Sequence, residues 1–168
     1  MEMRVSVREI GREDRVALWE WRQDPITRAL FPCDPAITYE HHRRWFECAM
    51  ADSEVVWGVG LVETLRIGCV RFDQINPTEY HVSLFLKPPY CGKGYGRVFL
   101  QAAIEFLKAR RPVRKLVAQV KNANPASGTL FQEAGFSIAN EGRHLRCELM
   151  CNVPSSAMRG VTVASGEA

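Results

Sequence analysis

Apolar and polar residues along the chain change period several times, and each change marks an element. Met3–Ile10 alternates, with Val5 and Val7 set against Ser6 and Arg8, which predicts a first strand. Glu13–Asp24 spaces Val16, Leu18, Trp19 and Trp21 among charges, the pattern of a helix that Pro25 stops. The stretch up to Pro35 has no period, being broken by Pro32 and Pro35, and reads as irregular. Thr38 is placed to cap a second helix over Tyr39–Met50.

Val55–Leu61 and Leu65–Phe72 are apolar and β-branched runs around Glu63-Thr64, the signature of a hairpin. After the turn signal Asn76-Pro77, Glu79–Leu86 reads as a strand that Pro88-Pro89 ends. It carries Tyr80, Val82, Leu84 and Leu86 on one face and His81, Ser83 and Phe85 on the other.

Gly94–Arg110 carries Leu100, Ala103, Ile104 and Leu107 at helical spacing. Lys115–Val120 is a short buried-type strand. Asn124 and Pro125 open another helix, Gly135 closes it, and His144–Cys151 is a last strand. The pattern predicts a strand, two helices and three strands before a Gly-rich loop, then helix, strand, helix and strand. That is an α/β (α+β) chain with a mixed sheet and helices on both faces. Residues 1–152 are expected to be one domain, and the Ser-, Gly- and Ala-rich residues 153–168 a disordered tail.

Composition narrows the function. With 22 basic and 19 acidic residues the net charge is +3, which argues against a nucleic-acid partner but suits a polyanionic small ligand. Arg110-Arg111-Pro112-Val113-Arg114-Lys115 reads as a solvated helix end. No run approaches the length of a membrane helix, and Met1-Glu2-Met3-Arg4 begins no signal-type apolar run, so a cytoplasmic protein without a membrane partner is expected. The six cysteines form no C-x-x-C pair and the four histidines stand at no zinc spacing; neither disulfides nor a metal are expected.

The chemistry concentrates in Glu79–Phe136. Cys91-Gly92-Lys93-Gly94-Tyr95-Gly96-Arg97 puts three alternate glycines before a helix, which leaves first-turn N–H groups uncovered. With the helix dipole, Lys93 and Arg97 they make an anion site. A Walker loop needs a hydroxyl residue after the lysine, where this chain has Gly94. A dinucleotide fingerprint needs G-x-G-x-x-G and an acidic residue near the next strand end, where this chain has Gln119-Val120-Lys121.

Cys91–Gly96 resembles the pyrophosphate loop of the GNAT superfamily of N-acetyltransferases. Asn124-Pro125-Ala126-Ser127-Gly128-Thr129-Leu130-Phe131-Gln132-Glu133-Ala134-Gly135-Phe136 resembles that family's second signature, with Ser127 in place of an alanine. The resemblance implies acetyl-CoA as acyl donor and an amine as acceptor. It also implies a mostly antiparallel sheet of about six or seven strands, with two parallel central strands that splay around the pantetheine arm. Backbone groups near Leu84, Phe85 and Leu86 would pair with that arm, one of them polarising the thioester carbonyl as an oxyanion hole does. Cys91, Gly92, Lys93, Gly94, Tyr95, Gly96 and Arg97 would hold the pyrophosphate, with Asn124 and Phe131 beside the arm.

Departures from the family pattern are informative. Cys91 stands where Gln or Arg is usual, Phe131 where many members have a Tyr acid, and Gln119 where some have a Glu base. His81 is the leading candidate base, beside Ser83, with Glu79 and Tyr80 as neighbouring alternatives. Upstream, Trp21-Arg22-Gln23-Asp24-Pro25 and Ile37-Thr38-Tyr39-Glu40-His41-His42-Arg43-Arg44-Trp45-Phe46 resemble the GNAT branch whose members acetylate a 4-amino group on UDP-linked deoxy-sugars. On that resemblance Trp21 and Trp45 would stack on a sugar or base, and Arg22 and His42 would contact an anion. Related branches acetylate protein N-termini or small amines, and a CoA-binding module without catalysis is the alternative that Phe131 and Gln119 keep open. A monomer or homodimer is expected.

Overall fold

The computed structural model describes residues 3–30 and 36–152. The first strand, β1 (Ser6–Glu9), leads through a 3-10 turn (Arg12–Asp14) into α1 (Arg15–Gln23). Pro25 stops α1 as expected but also begins a short helix, α2 (Pro25–Leu30), in the stretch expected to be irregular. The reason is local: Asp24 accepts from the Ile26 N–H and the Thr27 hydroxyl, and proline at a first helical position has no N–H to leave unpaired. Pro32 and Pro35 lie outside the described residues, as does the stretch from Val153 onward.

Helix α3 (Tyr39–Ala51) is capped by Thr38, whose hydroxyl accepts from the His41 N–H at 3.3 Å. Strands β2 (Val55–Val62), β3 (Leu65–Asn76) and β4 (Glu79–Leu86) follow as a meander. β3 is longer than the apolar run that announced it. Its polar end Asp73–Asn76 stays extended because β4 supplies partners, pairing Asp73 with His81, Gln74 with Tyr80 and Asn76 with Glu79 across a bulge.

Then come α4 (Tyr95–Lys108), β5 (Lys115–Lys121) and α5 (Pro125–Glu133), followed by β6 (Ser137–Asn140) and β7 (His144–Met150). Asn124 caps α5, accepting from Ser127 N–H, and Gly135 ends it at φ 90°. Strand β6 was not foreseen: its four residues are all exposed, so no buried face imprints a period on the sequence.

The strands form one mixed sheet in the order β1-β2-β3-β4-β5-β7-β6, antiparallel except between β4 and β5. Helices α4 and α5 cover one face, where Phe99, Leu100, Ala103 and Leu107 pack on Val70, Phe72, Tyr80, Val82 and Leu116. Each such side chain contributes on the order of 2 kcal/mol by leaving water. Gly60 admits this packing, because a Cβ there would lie 2.5 Å from the Phe99 ring. On the other face α1 and α3 pack Leu18, Phe46 and Ala49 on Trp57 and Val59. No helix among the described residues is long and apolar enough to cross a membrane.

Candidate active site

Strands β4 and β5 touch along three rungs only, Glu79–Lys115, Tyr80–Leu116 and His81–Val117. Beyond them β4 stays paired to β3 as far as Leu86, and β5 to β7 as far as Lys121. The two strands therefore part into a wedge whose inner edges present backbone N–H and C=O groups with no strand partner. Such edges suit a ligand that carries amides of its own.

At the mouth of the wedge, Lys87 N–H bonds to Ile67 O at 2.8 Å and Pro88–Tyr90 make a 3-10 turn. Cys91 to Gly94 are exposed, with Gly92 at φ 69° and Gly94 at φ 83°. Gly94 caps α4 and no side chain hydrogen-bonds to the helix end, so first-turn N–H groups are left for a ligand with the dipole behind them. No atom lies within 4 Å of where a Cβ on Gly92 would stand. This open cradle, flanked by exposed Lys93 and Arg97, fits a diphosphate. Tyr95 packs edge-on against Tyr90 at 5.4 Å, and Gly96 lets Leu130 of α5 approach α4. The Cys91 thiol donates to Leu86 O and Lys87 O, and burial raises its pKa, so it adds no charge to the cradle. Asn124 stands at the start of α5 with its amide oxygen engaged by the helix.

Some residues expected here lie elsewhere. Phe131 is a core residue, 5% exposed, its ring edge-on to Phe136 at 5.0 Å. Tyr80 points into the α4 core and is 1% exposed, so its hydroxyl cannot serve the opposite face as a base. Leu84 and Leu86 also turn their side chains to that core, which leaves only their backbone for the wedge.

On the α1 and α3 face, β4 carries Glu79, His81, Ser83 and Phe85. Ser83 is exposed, while Glu79 and His81 are half-buried. Burial pushes the His81 pKa below the ordinary imidazole value, with nearby Asp73 opposing, so the ring is neutral at pH 7 and able to accept a proton. Phe85 packs against Trp21 at 5.9 Å. Lys87 lies over Trp21 at 5.4 Å, Arg22 over Trp45 at 5.8 Å, and Arg71 over both Trp45 and Trp57 at 5.5 and 5.7 Å. Three indoles and three cations thus interleave beside the wedge.

His42, expected to meet an anion, does not reach this surface. It is 1% exposed between α1 and α3, and its Nε2 donates to Arg15 O at 2.9 Å. Burial first, and then the charges of Arg22 and Arg15, lower its pKa, so it packs as a neutral ring. Arg71 and Asp73 were missed, although carrying the alternation of β3 past Phe72 puts both on the His81 face. Among the described residues no three His, Cys, Asp or Glu side chains gather to hold a metal.

This geometry has known counterparts. The acetyltransferase (GNAT) domain family matches residues 4–137. Acetyltransferase PseH of Campylobacter jejuni subsp. jejuni serotype O:23/36 (strain 81-176) is 24% identical over 135 residues, covering 80% of this chain and 84% of PseH. Among solved structures, spermidine N-acetyltransferase from Vibrio cholerae with CoA and spermine superposes with TM-score 0.78 at 17% identity, covering 88% and 95% of the two chains. Campylobacter jejuni PseH with acetyl coenzyme A gives 0.70 at 20% identity over 88% and 99%. Aminoglycoside acetyltransferase AAC(6')-Ib with coenzyme A and kanamycin gives 0.76 at 16% identity over 87% and 94%. With most of its length matched by the domain family and its strands parted beside a bare helix end, the chain belongs to the GNAT acetyltransferase family and takes its acyl group from acetyl-CoA.

Proposed function

We propose that the protein acetylates a primary amine on a nucleotide-linked amino sugar. The supporting observation is the layer in which Trp21 and Trp45, above the buried Trp57, interleave with Arg22, Arg71 and Lys87. Indole faces suit a sugar or base, and cations suit the diphosphate that joins them. A cavity of ≈ 590 Å³ lined by Arg8, Trp21, Arg66, Lys87 and Tyr90 gives the nucleotide room on the same side. A polycationic acceptor needs several free carboxylates, and Glu148 is already held by Lys115 and Arg146. The resemblance of Trp21–Pro25 and Ile37–Phe46 to the GNAT branch that acts on UDP-linked deoxy-sugars supports the same reading.

In this reading residues 1–152 are a single catalytic domain, a monomer or homodimer in the cytoplasm, with neither nucleic acid nor membrane as partner. The Gly94 end of α4 holds the diphosphate of the donor, and the open edges of β4 and β5 hold its amide-bearing arm. Acetyl-CoA supplies the acyl carbon: the C–N bond forms there as the C–S bond breaks, and sulfur keeps the electron pair. His81 takes the proton the ammonium must lose before attack and passes it to solvent; the second proton, shed by nitrogen once the C–N bond has formed, goes to the departing thiolate. Phe131 in place of a tyrosine leaves that thiol without a side-chain acid, which a good leaving group tolerates.

The test follows release of CoA thiol with acetyl-CoA and a panel of UDP-linked amino sugars, spermidine, kanamycin and N-terminal peptides. A kcat/KM for one UDP-linked amino sugar at least about tenfold above every other amine is expected, a preference of about 1.4 kcal/mol. Turnover confined to spermidine, kanamycin or peptides would sink the assignment.

A further inference from the structure

We propose that Asp73 docks the acceptor's ammonium beside His81, and that Arg71 is the positioning residue that holds the Asp73 carboxylate in place. Asp73 and His81 are direct partners across β3 and β4. Such partners have Cβ atoms about 5 Å apart on one face of the sheet. That face carries the indole layer, and His81 stands on the last rung before the wedge opens.

The carboxylate is half spent. Arg71 Nε and Nη2 both donate to Oδ1, at 2.8 and 2.6 Å, while Oδ2 has no partner among the described residues. The Asp73 side chain is 40% exposed, so Oδ2 is open to a ligand. Arg71 is fixed from behind by Trp45 and Trp57, which gives the acid a set direction. A carboxylate beside the group that will take the proton can orient an ammonium by a charge-assisted hydrogen bond, and Asp73 supplies one a single strand away.

The other charges near His81 are less well placed. Glu79, two residues back on β4, sits at the closed end of the wedge opposite Lys115. Glu148 on β7 is separated from His81 by Val117, about 10 Å away at the usual strand spacing, and is gripped by Lys115 and Arg146. The proposal needs only an amine acceptor and is independent of the sugar-nucleotide reading.

The experiment measures steady-state kinetics on the intact protein with whichever of the UDP-linked amino sugars, spermidine and kanamycin the wild type uses best. A preference for spermidine or kanamycin would remove the sugar reading and leave this test intact. Asp73→Asn is expected to raise KM for the amine about tenfold or more and leave KM for acetyl-CoA within about twofold. Asp73→Glu should recover part of the loss, Arg71→Gln should raise the amine KM less than Asp73→Asn, and Glu148→Gln should change it by less than about twofold. Retention of the acetyl-CoA melting shift by each variant separates docking from misfolding. An unchanged amine KM in Asp73→Asn, or equal rises in both KM values, would overturn the proposal.

Discussion

His81 and Val117 form the last rung between the parallel strands; Val82 and Ala118, next along each, belong to diverging edges. The imidazole therefore stands where the sheet stops holding itself together and a ligand can enter. A neutral ring there can collect a proton from an incoming ammonium, so His81→Gln should lower kcat about a hundredfold or more. The pH profile gives a sharper check. Burial holds the His81 pKa below the ordinary 6.5, so kcat/KM of the wild type should be flat down to that value and fall only on further acidification. In His81→Gln that limb should vanish; a variant with undiminished kcat would place the base elsewhere.

Gly94 has φ 83° at the cap of α4, a conformation that costs a residue with a Cβ about 1–2 kcal/mol. Space is not the obstacle, since the nearest atom to a Cβ there is Met3 Cε at 3.7 Å. Gly94→Ala should therefore bind acetyl-CoA more weakly, by about tenfold if the cap flips to relieve strain, and Gly94→Asn should suffer less. Titration calorimetry with CoA measures both. Equal affinities for wild type and Gly94→Ala would mean that the helix end does not hold the diphosphate.

Cys91 offers a gain in place of a loss. Its thiol is turned onto Leu86 O and Lys87 O and partial desolvation raises its pKa further from neutrality, at a position whose counterpart in the resembled pyrophosphate loop is Gln or Arg. Cys91→Arg would put a cation next to the bare N–H groups, where such charges are worth about 0.3–1 kcal/mol to an anion. KM for acetyl-CoA should drop about twofold to fivefold with kcat unchanged, and the gain should shrink as salt is raised. An unchanged KM at low salt would mean that position 91 does not face the diphosphate.

These residues also show what the sequence could reveal. The Gly-rich loop, the Asn124–Pro125 cap and the strand Glu79–Leu86 were legible because glycine at positive φ, caps and period-two alternation are local signals. His42 was misplaced because a helix fixes which residues share a stripe but not which stripe faces the neighbouring helix. Packing against α1 decided that. Asp73 escaped notice for the complementary reason: its strand conformation comes from pairing with β4, and polar residues extend a strand only when a partner is there to hold them.

Asp14 tests the frame that carries this face. It is fully buried, held by both terminal nitrogens of Arg8 at 2.7 Å, by Arg66 at 3.0 Å and by the Gly11 N–H at 2.8 Å. Burial alone would raise its pKa, but those hydrogen bonds and charges carry it below the ordinary 3.8. The carboxylate thus ties β1 and β3 to the turn that launches α1 and Trp21. Asp14→Ala leaves two guanidinium groups facing an empty site and should cost about 3 kcal/mol in urea unfolding. A loss under about 1 kcal/mol would show that Arg8 and Arg66 find other partners.

His42 makes the stability of the N-terminal layer depend on pH with a definite sign. Its Nε2 donates to Arg15 O, so Nδ1 is the unprotonated nitrogen, and that atom is buried without a partner. Protonation would strand a charge there, which is why the folded pKa lies below the 6.5 of an ordinary imidazole. Above pH 6.5 neither state holds the proton and the contribution of His42 is complete. As pH falls below 6.5 the unfolded chain takes up a proton that the folded chain refuses, so stability declines until the folded pKa is passed. His81 shifts in the same direction, so the measurement belongs in a His81→Gln background. There, urea unfolding at pH 7.5 and pH 5.0 should differ by more with His42 than with His42→Phe. That variant is uncharged at both values and leaves Arg15 O unpaired, a loss of about 1–2 kcal/mol at either pH. Equal pH dependence in the two proteins would mean that His42 takes up its proton equally in the folded and unfolded chains, against the desolvation of its ring between α1 and α3.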